Sequence, residues 1–294
     1  PSLESPDLAS AVAEVEKKLN SLEADTSELP TGAAIDDATV ATYDDLTNLL
    51  NDFLEQANTV RAYIFGFTSV NSRDEIAASR ESEFRILFAR AQQVLNRVTA
   101  WLGSLDIDAL IERSQVAKEH EYAVRQSKIR AEHLMAQPEE DLASQLAISG
   151  GHAWGKLQND VSSQILVELE KEPGKPERLA MTEVRALEND PDRGVRQRSW
   201  EAEVAAWKEW STPLAASLNG VKGQHLTLAN RRGWGEVLDE SLFQNHIDRE
   251  TLDAMMGAAR DAFPDFHRYF AAKAKALGIE KLAWYDIAAP IGGD

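Results

Sequence analysis

The chain has 294 residues, 43% hydrophobic and 27% charged, a composition that suits a globular protein able to bury one large core or two ordinary ones. It has no cysteine, which excludes a disulfide framework and every thiolate zinc site, and no apolar run long enough to cross a bilayer, so no membrane partner is expected. Its 31 basic and 49 acidic side chains leave a net charge of −18, of which the first sixty residues, 13 acidic and 2 basic, supply −11; such a surface repels phosphate backbones and excludes nucleic acid as a partner.

In chain order, Ser5-Pro6-Asp7 reads as an N-cap followed by a proline at the first helical position. Leu8, Val12, Val15, Leu19 and Leu22 then recur at helical spacing. After the Pro30-Thr31-Gly32 break, a second helix is expected from about Asp37 through Val40, Tyr43, Leu46, Leu50, Phe53, Leu54, Ala57 and Ile64. Ser72 and Glu75 predict a capping box for a third, with Ile76, Phe84, Leu87, Phe88, Ala91, Leu95, Val98 and Leu102 on its apolar side. Three such helices with short links imply a bundle.

Between Ser104 and Ser149 the pattern shortens. Asp106 is expected to cap one helix, another runs from Gln115 towards Leu134, and Pro138-Glu139-Glu140 opens a third. Gly150-Gly151 breaks the pattern and is the expected domain boundary, with a helical bundle over 1–150 and a second domain over 151–294.

A helix around Trp154 to Val161 comes next. Alternation in Gln164 to Glu170, the turn residues Glu172-Pro173-Gly174-Lys175-Pro176 and a short run from Arg178 to Met181 then predict one small β-hairpin near 164–181. Helix resumes at Thr182 and again at Asp190-Pro191, read as an N-cap and an N1 proline. Val195, Trp200, Val204, Trp207, Leu214, Leu218, Val221 and Leu226 form its expected apolar side, and Pro213 predicts a break near Thr212. A last long helix is expected from the Asp248 cap to Gly278, with Leu252, Met255, Met256, Phe263, Phe266, Tyr269, Phe270 and Leu277 at intervals of three and four. The fold class is therefore mainly α, a multi-helix bundle carrying one hairpin.

The chemistry is sparse. No Gly-x-Ser-x-Gly elbow is present, and Gly150-Gly151-His152 has neither a preceding strand nor a following Lys-Ser or Lys-Thr, so it reads as a helix break, not a phosphate loop. The tryptophans at 200, 207 and 210 have helical spacing, which favours packing over a stacking platform. A zinc peptidase site needs two histidines at i and i+4 with a carboxylate between them. The only His-Glu pair, His120-Glu121, is followed by Tyr122, Ala123 and Val124, so no metal is expected to be bound by this chain alone.

Five segments together carry a family resemblance. Asn245, Ile247, Glu250 and Thr251 supply an Asn-x-Ile-x-x-Glu-Thr pattern, Tyr269 to Lys275 a Tyr-Phe-x-x-Lys-Ala-Lys stretch, and Trp284-Tyr285-Asp286 with Ala289-Pro290 a Trp-Tyr-Asp-x-x-Ala-Pro segment. Upstream, Asp190-Pro191-Asp192-Arg193 precedes a helix and Leu226 to Trp234 leads out of one. In this order they resemble the oligoendopeptidase F branch of the M3 zinc metallopeptidases from about Asp190 onward. The family's His-Glu-x-x-His is absent.

The resemblance implies that this is the N-terminal half of a channel-type cytoplasmic oligopeptidase, with 151–294 the start of a peptidase domain that stops short of the zinc site. It implies a short peptide as substrate, zinc as the cofactor of the complete enzyme, and the C-terminal catalytic part of the same protein as partner. The chain would wall the channel and be inactive alone. Asn245, His246, Arg249, Trp284 and Tyr285, which lie on connections and carry hydrogen-bonding or aromatic groups, are the candidate substrate-binding residues. The alternative is a non-enzymatic helical scaffold or interaction protein.

Overall fold

The computed structural model describes residues 2–172 and 174–292, of which 76% are helical, against about a third in an ordinary globular protein. The described residues fall into two compact units, one of residues 1–153 with 224–234 and the other of residues 154–223 with 235–294.

The first unit begins with α1 (Pro6–Asp25), α2 (Asp37–Val70) and α3 (Glu75–Ser104), which pack on one another as a three-helix bundle. Ser5 caps α1 through its hydroxyl on the Leu8 N–H, and Asp36 caps α2 through the Thr39 N–H. The expected stripes of α1 and α2 are buried, Val15, Leu19, Leu22, Phe53 and Ile64 each at most 2% exposed, whereas in α3 the deeply buried Val94 and Trp101 lie outside the expected stripe and the expected Ile76 is 46% exposed. Trp101 also donates its indole N–H to the Pro30 carbonyl (3.2 Å), fastening the α1–α2 link to α3. The Ser72–Glu75 box does not form. Asp74, one residue before the helix, accepts from the Ala77 N–H instead, since it lies at the distance from N3 that a cap requires.

Next come α4 (Ile107–Arg113), capped by Asp106 as expected, and α5 (Gln115–Glu119), which also meets α2, and then α6 (Glu121–Glu132) and α7 (Gln137–Ser149), which pack on α3. The helix expected from Gln115 to Leu134 is thus two, parted at His120, whose ψ of 21° leaves the helical range. The α3–α6 crossing is close because Gly103 has no side chain: a Cβ there would lie 2.3 Å from the Ala131 Cβ.

A buried carboxylate anchors the segment 224–234 to this unit. Glu140, 1% exposed, accepts from both Nε (3.0 Å) and Nη2 (2.7 Å) of Arg232, from the Asn96 amide (3.3 Å) and from the Met135 N–H (3.1 Å). Beside it the His133 and Trp234 rings stack 3.6 Å apart. Gly151 N–H donates to the Gln224 side chain (2.5 Å), so the two glycines after α7 mark a helix break. Burial holds the nearby His152 below the ordinary histidine range, helped by the positive charge of Arg85.

In chain order α8 (Gly151–Gln164) leads into the second unit. There β1 (Leu166–Glu172) and β2 (Lys175–Ala180) form an antiparallel hairpin in which Leu166 faces Ala180 and Leu169 faces Glu177. Pro173 of the expected turn lies outside the described residues. Its neighbour Gly174 has φ +78°, a conformation that glycine adopts without strain. Alternation puts Val167, Leu169 and Leu179 on one face, where they join Ile165, Met181 and Val184 in a small core. The helices covering it are α9 (Met181–Ala186) and α10 (Arg193–Glu209).

Several expected boundaries and faces shift here. The cap of α10 is Asp192, on the Gly194 N–H (2.7 Å), while Asp190 bonds the Asp192 N–H, so Pro191 precedes the helix. The line that α10 buries is Arg196, Ser199 and Glu203, with Trp200 and Trp207 only half-buried beside it. Then α11 (Ser211–Arg231) starts after Trp210, just upstream of Pro213, whose missing N–H is tolerated in a first turn. Its expected apolar side is exposed at Leu218, Val221 and Leu226. After α12 (Val237–Gln244), the expected long helix is α13 (Arg249–Asp261) and α14 (Phe263–Ala276), interrupted because Pro264 cannot continue the hydrogen-bond ladder of the first.

Gly103→Ala is expected to destabilise the chain by about 1–3 kcal/mol in urea unfolding, because neither backbone can give way. Adding Ala131→Gly, which removes the opposing methyl, is expected to recover part of the loss.

Candidate functional site

The candidate site in the second unit is built on a single carboxylate. The Asp192 cap fixes the first turn of α10, so Arg193 and Arg196, three residues apart, lie on one side of it. Opposite stands a 3-10 turn, Trp284–Asp286, that closes on itself: Asp286 N–H donates to the Ala283 carbonyl (3.0 Å), and the Asp286 carboxylate accepts from the Ala283 N–H (2.9 Å).

The same carboxylate, 0% exposed, takes Arg193 as a fork, Nε to Oδ1 at 3.0 Å and Nη2 to Oδ2 at 2.9 Å, and Arg196 Nη2 on Oδ1 at 3.0 Å. Arg196, 2% exposed, also donates to the carbonyls of Tyr285 (3.1 Å), Asp190 (2.7 Å) and Pro191 (3.1 Å). Burial pushes the Asp286 carboxyl up, but the Arg193 fork, the Ala283 N–H and Arg196 outweigh it and hold the pKa at about 2. From α14, the buried Lys273 ammonium donates to the Ile287 carbonyl (2.6 Å), tying that helix to the same segment.

This knot sets the two aromatic candidates in opposite situations. The Tyr285 ring is held against α10, 5.3 Å from the Arg193 guanidinium and 5.9 Å from the Trp200 ring. Trp284, one residue earlier, is 69% exposed.

The other three candidates sit at the α12–α13 corner. Asn245 ends α12, its side-chain amide on the Ser241 carbonyl (2.8 Å). His246 is exposed and takes φ +56°, a left-handed conformation uncommon outside glycine. Its N–H and that of Ile247 donate back to the carbonyls of Phe243 and Leu242 (both 3.2 Å), which is how the chain turns the corner. Arg249 reaches across it to Asp239 (3.0 Å) and Glu236 (3.3 Å) near the start of α12, and these hydrogen bonds raise its pKa. Asp248 caps α13 through the Thr251 N–H (2.7 Å).

The five candidates therefore form two groups, Asn245, His246 and Arg249 on the corner and Trp284 and Tyr285 on the turn. Asn245, His246, Arg249 and Trp284 are exposed and Tyr285 is half-buried, and Asn245, Arg249 and Tyr285 are engaged with the structural partners given above. Sequence reasoning missed Arg193 and Arg196 as the clamp of that turn. Their signal was two arginines one turn apart behind a cap, together with one acid inside an aromatic and aliphatic stretch.

The zinc that the resemblance implies finds no donor set here. Among the described residues no three His, Cys, Asp or Glu side chains converge in a way that could hold a metal ion. His133 is engaged with Trp234 and the Arg232 carbonyl (3.1 Å), and the His120 ring lies 3.4 Å from the Asn51 amide. No helix of the described residues is long and apolar enough to cross a membrane.

Residues 186–289, from the end of α9 to the clamped turn, match Peptidase family M3. The chain is 24% identical over 221 residues to an oligoendopeptidase F homologue of Lactococcus lactis, covering 74% of this chain and 34% of that protein. It is 21% identical over 189 residues to oligopeptidase PepF of Bacillus subtilis, covering 63% and 28%. The chain thus spans about a third of the length of the curated relatives it matches. In fold it matches the crystal structure of oligoendopeptidase-F from Enterococcus faecium with a TM-score of 0.83 at 17% identity, over 98% of this chain and 56% of the other.

Asp286→Asn is expected to cost about 3 kcal/mol in denaturant unfolding at pH 7, since it leaves Arg196 buried without its counter-charge. The pKa of Asp286 in the fold lies below its ordinary 3.8, so its contribution is complete above about pH 5 and is lost as pH falls towards about 2. Over that window the wild-type chain is expected to lose stability more steeply than the variant.

Proposed function

We propose, from the chain's place in the oligoendopeptidase F branch of peptidase family M3, that it is the N-terminal portion of a zinc-dependent endopeptidase that cuts short peptides in the cytoplasm. Residues 1–150 are its helical bundle domain and residues 151–294 the start of its peptidase domain. In this reading the chain walls the substrate channel, and the metal is held by residues outside this sequence. A bound zinc polarises a carbonyl and activates water. The donor set for it is not among the residues described here, and no catalytic step is assigned to this chain.

The observation that carries the reading is the clamp itself. Within the M3-matched stretch, Arg193 and Arg196 hold the turn at 284–286 by a buried charge and leave the Trp284 ring in solvent. An ion pair with that many partners fixes position, and an exposed indole on a fixed turn is suited to an apolar side chain of a bound peptide. Asn245, His246, Arg249 and Tyr285 complete the proposed peptide contacts through amide, imidazole, guanidinium and phenol groups that pair with peptide backbone.

Purified alone, the 294-residue chain is expected to carry less than stoichiometric zinc by elemental analysis and to leave a fluorogenic oligopeptide uncut, whereas the native polypeptide containing it cuts the peptide and stops on chelation. Cleavage by the 294-residue chain itself, abolished by a chelator, would show the assignment to be wrong. In the native polypeptide Trp284→Ala is expected to change stability by no more than about 0.5 kcal/mol, as an exposed side chain should, while lowering kcat/KM for oligopeptides. An unchanged kcat/KM would remove Trp284 from the site.

A further inference from the structure

Helices α1 to α3 bury most of their apolar stripes, but α13 and α14 do not. No residue of α13 is buried, and Met255 is 59% exposed and Met256 46%. In α14 only Lys273 and Ala274 are buried, near its C-terminal end, where Lys273 reaches the Ile287 carbonyl and Gly278 turns the chain with φ +68°. Ahead of that anchor Phe263 is 54% exposed, Phe266 55% and Tyr269 51%. Burying one such side chain is worth about 1.5–3 kcal/mol, and a contiguous exposed apolar face of this kind marks an interface.

We infer that the apolar face of α13 and α14, centred on Met255, Met256, Phe263, Phe266 and Tyr269, is where the remaining, catalytic portion of the M3 fold packs. This inference rests on the peptidase reading above. Three observations choose the occupant. The Enterococcus faecium structure matches 98% of this chain with only 56% of its own length, so nearly half of that fold is available to cover the face. A second copy of this chain is disfavoured because each carries a net charge of −18 and the two repel. A lipid surface is disfavoured because the five basic residues of α13 and α14 are offset by Glu250, Asp253, Asp261 and Asp265, and Arg249, Arg268 and Lys273 are already engaged within the chain, where a membrane-surface helix would present a clear excess of free lysine and arginine.

The test compares the 294-residue chain with the native polypeptide that contains it. Hydroxyl-radical footprinting followed by mass spectrometry is expected to oxidise Met255 and Met256 readily in the 294-residue chain and to show loss of that oxidation in the native polypeptide. Phe266→Asp is expected to move the Tm of the 294-residue chain by no more than about 1 °C and to lower that of the native polypeptide by roughly 5 °C or more. Equal oxidation in the two, in a native polypeptide that cleaves peptides on zinc, overturns the docking face and leaves the peptidase reading standing. A native polypeptide with no zinc-dependent cleavage removes the reading and the inference together. Concentration-dependent dimers of the 294-residue chain that Phe266→Asp abolishes assign the face to a second copy and overturn it as well.

Discussion

The candidate site depends on one ion pair network taken out of water. A carboxylate with no solvent exposure is costly to bury unless it is fully paired, and Asp286 meets that condition with two arginines and its own turn's N–H. The consequence is positional. Arg193 and Arg196 are separated from Asp286 by about ninety residues of chain, yet the turn at 284–286 can occupy one place only on α10. Hydrophobic contact alone would fix it less strictly, because apolar surfaces slide where forked hydrogen bonds do not.

The first unit repeats the device with different residues. Glu140 is buried and accepts from Arg232, Asn96 and a backbone N–H, and the arginine again comes from far along the chain. In both units a short acidic side chain on one element collects donors from another and so specifies which elements meet. The arginine carries the other half of the match, because its planar fork offers parallel donors that a lysine cannot supply.

The second unit has little apolar core of its own. Its buried hydrophobic cluster is the hairpin with the start of α9, and α10 lays a line of Arg196, Ser199 and Glu203 inward in place of the Val and Trp side chains that its spacing suggests. Glu203 is satisfied there by Arg185 (2.7 Å) and the Trp207 indole (3.0 Å). Polar pairing substitutes for packing in α10, while α13 and α14 keep a strong apolar stripe that meets solvent. A unit so organised leaves much of its apolar surface in solvent.

The sequence by itself determined what is local. Helical spacing in the first hundred residues, the caps Ser5, Asp106 and Asp248 and the alternation of the hairpin strands were legible because each depends on neighbours within four residues. The five ordered segments that resemble family M3 were legible as words, and so was the missing His-Glu-x-x-His. Small errors of boundary, Asp74 for Ser72 and Asp192 for Asp190, arose because several acceptors in a row can each cap a helix and only the packed backbone selects one. Tertiary structure alone decided that Asp286 meets Arg193 and Arg196, that Tyr285 is held while Trp284 is exposed, and that the stripe of α13 lies in water. A periodic pattern says that a helix has an apolar face, but what covers that face is set by contacts between residues far apart in the chain, which spacing does not encode.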